Sequence, residues 1–232
     1  MLAVGCVVAA LVAWDVVGYA AVLPLYAAVS FALLAAAYAG VGPRLLFKRA
    51  DGRRSPLGWL LFAPYFLLNA FTFGLYRRVS REPAYVQVAP NVWFGRRLSA
   101  CEAEAGGWVS VLDLAGEFPA SRVGAGYRSL PVLDAAAPTE AELRDAVAWI
   151  AEAVALGPVY VHCALGHGRS ACVVVAYLLS MGAVGTVAEG ARRLRSLRAG
   201  VRLHPPQLRL LRRFEPRPAA PGTLGNTNRL PN

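Results

Sequence analysis

The sequence has few charged residues and almost no lysine. Charged side chains make up 16% of the 232 residues, against about 25% in a typical soluble domain, which argues against an ordinary cytosolic protein. Hydrophobic residues reach 56%, so disorder is excluded for most of the chain, and four cysteines are too few for a disulfide scaffold. Yet the net charge is +10, nearly all from arginine, since Lys48 is the only lysine. Basic flanks of membrane segments or an anionic substrate would explain this balance.

The apolar residues are concentrated near the N-terminus. Asp15 is the only charged residue among the first 41, and a helix of that length would span roughly 60 Å, about twice a bilayer core. We therefore expect two transmembrane helices, Leu2–Tyr19 and Leu25–Val41, with a turn between Asp15 and Pro24. No basic residue precedes the first apolar run, so a cleaved signal peptide is not expected.

A third apolar stretch, Leu57–Tyr76, lies between two basic clusters. Basic residues on both sides conflict with a simple span under the positive-inside rule. Four residues within the stretch weaken a straight helix, namely Gly58, Pro64, Asn69 and Gly74. We expect a re-entrant or interfacial segment, with a third transmembrane helix as the alternative. Residues 1–82 are thus predicted to be a membrane anchor, and the downstream domain is predicted to face the cytoplasm.

From Pro83 to Phe214, short β-rich runs alternate with amphipathic helices, which predicts an α/β fold with a central sheet flanked by helices. The predicted strands are Tyr85–Val88, Val92–Gly95, Trp108–Leu114, Tyr127–Leu133 and Pro158–His162. Helices are predicted after the capping residues Ser99, Thr139 and Thr186, and over Ser170–Met181 and Pro206–Phe214. The tail, residues 215–232, is rich in Pro, Gly and Asn and is predicted to be disordered.

The most informative stretch is Val159–Ser170, in which a strand leads through a glycine-containing loop into a helix. This geometry directs backbone N–H groups and the positive helix end at one spot, which suits an anion. Cys163 begins the loop, where the amides and Arg169, six residues later, favour its thiolate form. Arg169 can hold two phosphate oxygens, and Ser170 can donate to the sulfur when it leaves. These residues predict phosphoryl transfer through a phosphocysteine.

The pattern His162-Cys163-x-x-Gly166-x-x-Arg169-Ser170 resembles the signature loop of cysteine-based protein tyrosine phosphatases in its dual-specificity form. The similarity extends over about Tyr85–Phe214. More narrowly, His-Cys-Ala-Leu-Gly from His162, followed by Arg-Ser-Ala from Arg169, looks like the dual-specificity domains of bacterial membrane proteins. The resemblance implies a dual-specificity-phosphatase-like sheet, transfer of phosphate to Cys163 followed by hydrolysis, and no metal or other cofactor. It implies that His162 supports the loop and tunes the thiolate. The implied substrate-binding residues are Ala164, Leu165, Gly166, His167, Gly168 and Arg169.

Such a reaction needs a general acid for the leaving oxygen. Asp134 is the candidate, because it lies 29 residues before Cys163 on a predicted loop after a strand, where the family places its acid. Asp113 competes for this role but falls at the end of a predicted core strand. His167 has two interpretations, contact with the substrate or a solvated loop side chain. Cys172 is predicted to be a packed core thiol rather than the disulfide partner of Cys163.

The predicted partners are membrane lipids and a phosphorylated lipid or protein. The substrate class stays open between phospholipid monoesters, such as phosphatidylglycerophosphate, and phosphoproteins. Family members that act on multiply phosphorylated inositides often have lysine in the signature loop, and its absence here argues against that class. Alternatives are a catalytically idle, membrane-tethered phosphate-binding or scaffold module and, less favoured, rhodanese-like sulfur transfer. No nucleic-acid-binding module is recognisable.

The C-terminal helices are predicted to be basic. Their arginines are expected to form a solvated face or to attract anionic lipid headgroups. They are Arg192, Arg193, Arg195, Arg198, Arg202, Arg209, Arg212 and Arg213.

Overall fold

The computed structural model describes residues 2–17, 21–121, 124 and 126–214. The predicted disordered tail, residues 215–232, lies outside the described residues, as does part of the predicted turn between Asp15 and Pro24. Three apolar helices come first, followed by an α/β domain.

The apolar helices are α1 (Leu2–Val17), α2 (Val22–Ala36) and α3 (Pro56–Val79). A π-helical turn, Ala37–Val41, extends α2. Two described helical stretches are long and apolar enough to cross a bilayer, judged by length and composition: Val22–Val41 and Pro56–Val79. Whether either one spans a membrane stays a prediction.

The third apolar stretch forms one 24-residue helix, α3, despite its glycines and proline. Ser55 begins it, because its side-chain oxygen accepts a hydrogen bond from the Gly58 N–H at 3.1 Å. Phe62 leaves the helical conformation at φ −121°, two residues before Pro64. Proline lacks the N–H that would bond to the carbonyl four residues earlier, which accounts for a kink at this point.

The central sheet has five strands in the order β1-β2-β5-β3-β4. These are β1 (Tyr85–Ala89), β2 (Val92–Gly95), β3 (Ser110–Ala115), β4 (Gly126–Val132) and β5 (Val159–His162). The β1–β2 pair is the predicted antiparallel hairpin, and the other pairs are parallel. The predicted α/β class is confirmed.

Five helices accompany the sheet: α4 (Ala100–Ala105), α5 (Glu140–Val154), α6 (Arg169–Ser180), α7 (Val187–Leu197) and α8 (Pro205–Leu211). Capping boxes start α4 and α5, as their sequences predict. α6 begins one residue earlier than predicted, and α8 is shorter than predicted. The core lies between the sheet and α5 to α8, and every residue of α6 from Arg169 to Leu179 is buried within it.

The parallel strands determine where the functional residues meet. The carboxyl ends of β5, β3 and β4 lie at one edge of the sheet because these strands run in the same direction. Cys163 follows β5, Glu117 follows β3 and Asp134 follows β4. These three residues, which are 17 to 46 positions apart in the sequence, can therefore meet at this edge.

Candidate active site

The signature loop, residues 163–168, connects β5 to α6 and is held from outside. Its carbonyls at Ala164, Leu165 and His167 accept hydrogen bonds from Arg97 N–H (2.8 Å), the Arg198 guanidinium (3.0 Å) and Arg202 N–H (3.0 Å). With these carbonyls directed outward, planar peptides turn the following N–H groups toward the centre of the loop. The loop therefore forms a cradle of donors suited to an anion.

Gly166 allows the tight path of this loop. Its φ is 77°, in the left-handed region that favours glycine. A Cβ at this position would lie 2.4 Å from the carbonyl carbon of Gly95 on β2. Any other residue would therefore displace the loop or the strand beside it.

Cys163 lies at the base of the cradle. The residue is 2% exposed, and its Sγ accepts a hydrogen bond from the Gly166 N–H at 3.3 Å. The Oγ of the buried Ser170, in the first turn of α6, lies 3.4 Å from the same sulfur. A backbone amide and a hydroxyl thus both stand ready to stabilise negative charge on sulfur.

Arg169 is buried beside the cradle, held by a glutamate that sequence reasoning missed. Glu117 accepts from both terminal nitrogens of Arg169, at 2.7 and 2.6 Å, and the Val132 carbonyl accepts from one of them at 2.9 Å. Burial disfavours the charged guanidinium, but Glu117 outweighs this effect and raises the pKa of Arg169. The Arg169 Nε–H is buried with no hydrogen-bond partner in the described part of the chain, which leaves a donor free for an incoming oxygen.

Asp134 lies where the sequence places it, on the loop after β4. Its side chain is 71% exposed, and its Oδ1 lies 3.0 Å from Nη2 of Arg169. The structure thus brings Cys163, Arg169, Ser170 and Asp134 to one edge of the sheet. An exposed carboxyl beside the buried guanidinium can reach both the bound anion and solvent.

Comparisons with known proteins match this architecture. The family model of the dual-specificity phosphatase catalytic domain matches residues 107–217. This part of the chain therefore matches a dual-specificity phosphatase catalytic domain, and we call the sheet with α4 to α8 the phosphatase domain. The assignment agrees with the predicted resemblance to cysteine-based phosphatases.

A curated relative is the phosphatidylglycerophosphate phosphatase PTPMT2 of Arabidopsis thaliana, 39% identical over 79 residues. This match covers 34% of this chain and 34% of the relative, so the chain spans about one third of that protein's length. A point variant of human DUSP28 is 25% identical, with a TM-score of 0.51, over 57% of this chain and 94% of that one. PTPMT1, solved with PI(5)P, shares the fold at 23% identity and a TM-score of 0.51, over the same shares of the two chains.

Behind the loop of the phosphatase domain, His162 and Asp113 form a buried support. The His162 Nδ1–H donates to the Cys163 carbonyl at 3.1 Å, and burial lowers the pKa of His162 and favours its neutral form. Asp113 accepts from Lys48 at 2.7 Å and from the Tyr127 hydroxyl at 2.8 Å. Burial alone would raise the pKa of Asp113, but Lys48 and the hydrogen bonds lower it to about 2. Asp113 is thus a structural anion at a strand end, as expected.

Lys48 and Arg54 belong to the basic cluster expected to flank the membrane, yet both are buried in the phosphatase domain. The Lys48 side chain is fully buried against Asp113. Arg54 donates to the carbonyls of Leu46 and Gly116, at 2.8 and 3.0 Å. These two cations therefore attach the segment before α3 to the domain. The sequence suggested a solvated basic flank, whereas Lys48 and Arg54 are buried.

His167 points away from the cradle. Its Nε2 lies 2.6 Å from Glu82 and 3.3 Å from the Tyr76 hydroxyl at the end of α3. Burial would raise the pKa of Glu82, but the contact with His167 and the hydrogen bond from Gly200 N–H lower it. Neither expected interpretation describes this side chain, since it ties the signature loop to α3.

Arg198 corrects the prediction of a uniformly solvated basic face. It is 1% exposed and donates to Leu165 of the signature loop and to Glu82, at 3.0 and 3.2 Å. The other seven arginines of that set are exposed. Cys172 is buried, free and packed in the core, and burial raises its pKa to about 12.

Proposed function

We propose that this chain is a membrane-anchored phosphatase that hydrolyses phosphomonoesters through a phosphocysteine on Cys163. The observation that carries the proposal is the convergence of Cys163, Arg169 and Asp134 around a loop whose amides face inward. An idle phosphate-binding module would need the cradle and Arg169, but not a nucleophile and an acid arranged beside them.

In the first step, the Cys163 thiolate attacks phosphorus and the bond to the leaving oxygen breaks. Arg169 and the loop amides hold the three non-bridging oxygens as their charge is redistributed. Protonated Asp134 transfers its proton to the leaving oxygen, so the alcohol departs neutral and Asp134 becomes a carboxylate.

In the second step, water attacks the phosphocysteine. The Asp134 carboxylate takes a proton from this water as the new P–O bond forms and the S–P bond breaks. Ser170 donates to the departing sulfur, which leaves as a thiolate. Inorganic phosphate is released and both Cys163 and Asp134 return to their starting states.

We propose a phospholipid monoester as the substrate. The helix α3 packs beside the site. Phe73 of α3 shares a buried cluster with Ala164 of the signature loop, and Tyr65 and Phe66 share a cluster with Leu133, next to Asp134. A phosphate headgroup at the membrane surface would therefore lie close to the cradle. The similarity to PTPMT2 supports the same class.

The decisive assay is phosphate release by the full chain in detergent from phosphatidylglycerophosphate, phosphatidic acid, a phosphotyrosine peptide and an aryl phosphate. We expect turnover that Cys163→Ser abolishes and Asp134→Ala reduces by about 10²- to 10⁴-fold. Cys101→Ser, an exposed thiol on α4, is the matched control and should act like wild type. An inactive wild type, or an active Cys163→Ser variant, would refute the proposed phosphatase activity. Faster turnover of the phosphotyrosine peptide than of the lipids would refute the proposed lipid substrate.

We further propose that α2 crosses the membrane together with the shorter apolar helix α1. We propose that α3, although long enough to cross, lies along the cytoplasmic surface. From Phe62 to Tyr76, about 21 Å of helix, α3 packs on the phosphatase domain. If α3 crossed the membrane perpendicular to its surface, the phosphatase domain packed on it would have to lie within the bilayer. Its opposite face exposes apolar side chains to lipid: Leu60, Leu67, Leu68, Phe71 and Leu75. A reporter fused after Phe214 should read cytoplasmic, and a reporter on the other side of the membrane would contradict two spans.

A further inference from the structure

The loop that carries Asp134 is a tight turn in an unfavourable conformation. The Ala136 N–H donates to the Leu133 carbonyl at 3.1 Å, which closes the turn around Asp134. Ala135, in the turn, has φ 57°, a left-handed conformation that L-residues other than glycine rarely adopt. Contacts from outside the turn must therefore hold it in place.

Two side chains supply hydrogen bonds to this turn from opposite sides. Gln207 of α8 donates from Nε2 to the Ala136 carbonyl at 2.8 Å. Tyr38, in the π-helical turn after α2, donates from its hydroxyl to the carbonyl of Asp134 itself, at 3.2 Å. The second bond crosses 96 positions of sequence and joins the apolar N-terminal region to the candidate general acid.

Packing holds the backbone beside Tyr38, whose own side chain is 51% exposed. Its neighbour Ala37 is buried in a cluster with Leu46, Phe62 and Phe66 of the N-terminal region. Leu133, the residue before Asp134, belongs to the same cluster. The apolar helices thus hold both the turn and the tyrosine that bonds to it.

We propose that Tyr38 is a positioning residue for the general acid Asp134. The inference rests on the proposed phosphatase function and extends it, because it makes the membrane anchor part of the catalytic apparatus. Tyr38 does not donate the proton. It holds the backbone from which the Asp134 carboxyl reaches the leaving oxygen. The net contribution of one hydrogen bond corresponds to about a three- to tenfold change in rate.

The value of kcat/KM reports the steps up to departure of the leaving group, and in these steps Asp134 acts only by proton transfer to that group. Loss of Tyr38 should therefore lower kcat/KM most for basic leaving groups. Acidic phenols leave with little help from a proton, whereas phenol itself needs one. A series of aryl phosphates, from dinitrophenyl phosphate to phenyl phosphate, therefore separates acid positioning from phosphate binding or folding.

The test compares Tyr38→Phe with wild type, both as full chains in detergent. We expect kcat/KM to fall about three- to tenfold for phenyl phosphate and to stay near wild type for dinitrophenyl phosphate. Asp134→Asn should show the same dependence on the leaving group, with a larger loss. Tyr26→Phe is the matched control, since Tyr26 on α2 also donates to a backbone carbonyl, at Leu60 of α3, and should leave the whole series unchanged.

An equal loss across the series, or no loss, would overturn the role of Tyr38. Failure of the proposed function is distinguishable, since it would appear as a wild type that releases no phosphate or as full activity in Cys163→Ser. A Cys163-dependent wild type with an unchanged Tyr38→Phe would refute only this inference.

Discussion

Glu117 explains how a buried arginine can stay charged and still bind phosphate. Its carboxylate occupies both terminal nitrogens of Arg169 and leaves the Nε–H unpartnered within the described residues. A buried guanidinium without such a partner would carry a large desolvation cost. Glu117 therefore fixes both the charge and the direction of the guanidinium.

Substitution of Glu117 by alanine should strongly destabilise the domain. It removes the buried partner of Arg169 and leaves only the exposed Asp134 carboxylate beside the guanidinium. Loss of one partner of a buried pair costs about 3–5 kcal/mol. The free energy of unfolding, measured by denaturant titration in detergent, should fall by roughly that amount. Glu152→Ala, an exposed position on α5, should change it by at most about 0.5 kcal/mol. Equal effects of the two substitutions would contradict the role of Glu117.

The buried Asp113 predicts a pH dependence of stability. Its pKa is about 2 in the folded protein, against about 3.9 in an unfolded chain. Because the folded pKa is lowered, the stabilising contribution is fully present above about pH 4 and is lost as the pH falls toward 2.

Asp113→Asn should remove this contribution. We expect the variant to be less stable than wild type at pH 7, by about 2 kcal/mol or more. The difference should shrink as the pH is lowered from 4 to 2, since wild-type Asp113 then becomes protonated. Thermal unfolding across this pH range measures the effect. A gap that stays constant down to pH 2 would contradict the shifted pKa.

Residues of the site were predictable where local sequence places them. Cys163, Arg169 and Ser170 lie within eight positions of one another, and a strand, a loop and a helix start suffice to bring them together. Asp134 was located through the family pattern. The partners Glu117, Lys48 and Tyr38 were missed because their contacts cross 52, 65 and 96 positions. Such pairings depend on tertiary packing, which a single sequence does not reveal.

At the scale of elements, α3 has two apolar faces with different neighbours. Phe73 packs on Phe118 and lies in one buried cluster with Ala115 and Ala164 of the phosphatase domain. Phe71, two positions earlier, is 71% exposed. Since both faces are apolar, the sequence does not indicate which one contacts protein, and the glycines and proline suggested an interrupted segment instead of one helix.

These two phenylalanines provide a matched pair of variants. Phe73→Ala should open a cavity beside the signature loop and lower the free energy of unfolding in detergent by about 3 kcal/mol. Phe71→Ala should leave that quantity nearly unchanged but weaken the binding of α3 to lipid. Denaturant titration measures the first effect, and protection of α3 from hydrogen exchange in vesicles measures the second. A larger loss of stability in Phe71→Ala would contradict the packing.

Other elements followed from the sequence more directly. The capping residues Ser99 and Thr139 start α4 and α5 at the expected positions, because a side-chain cap acts within one helical turn. The bounds of β2 are those predicted, and the bounds of the other strands shifted by one or two residues, since strand ends depend on pairing with neighbours. The strand order β1-β2-β5-β3-β4 could not be predicted from the sequence and is known from the structure.

At the scale of the whole molecule, the apolar region from α2 to α3 packs against the phosphatase domain. Lys48, Arg54 and α3 contact the domain on the side of the site. The low content of charged residues in the sequence reflects the apolar helices α1 to α3. Of the positive charge, Lys48, Arg54, Arg169 and Arg198 are buried in ion pairs and hydrogen bonds, so part of the net charge of +10 stabilises the fold.

Covalent catalysis by Cys163 is tested most directly by trapping the phosphorylated intermediate. The full chain in detergent is mixed with an aryl phosphate, quenched with acid during turnover and digested for mass spectrometry. We predict one phosphate on the peptide that contains Cys163, and none in the Cys163→Ser variant, which should also release no phosphate. Phosphate release by wild type without a phosphorylated Cys163, or equal release by Cys163→Ser, would contradict the account.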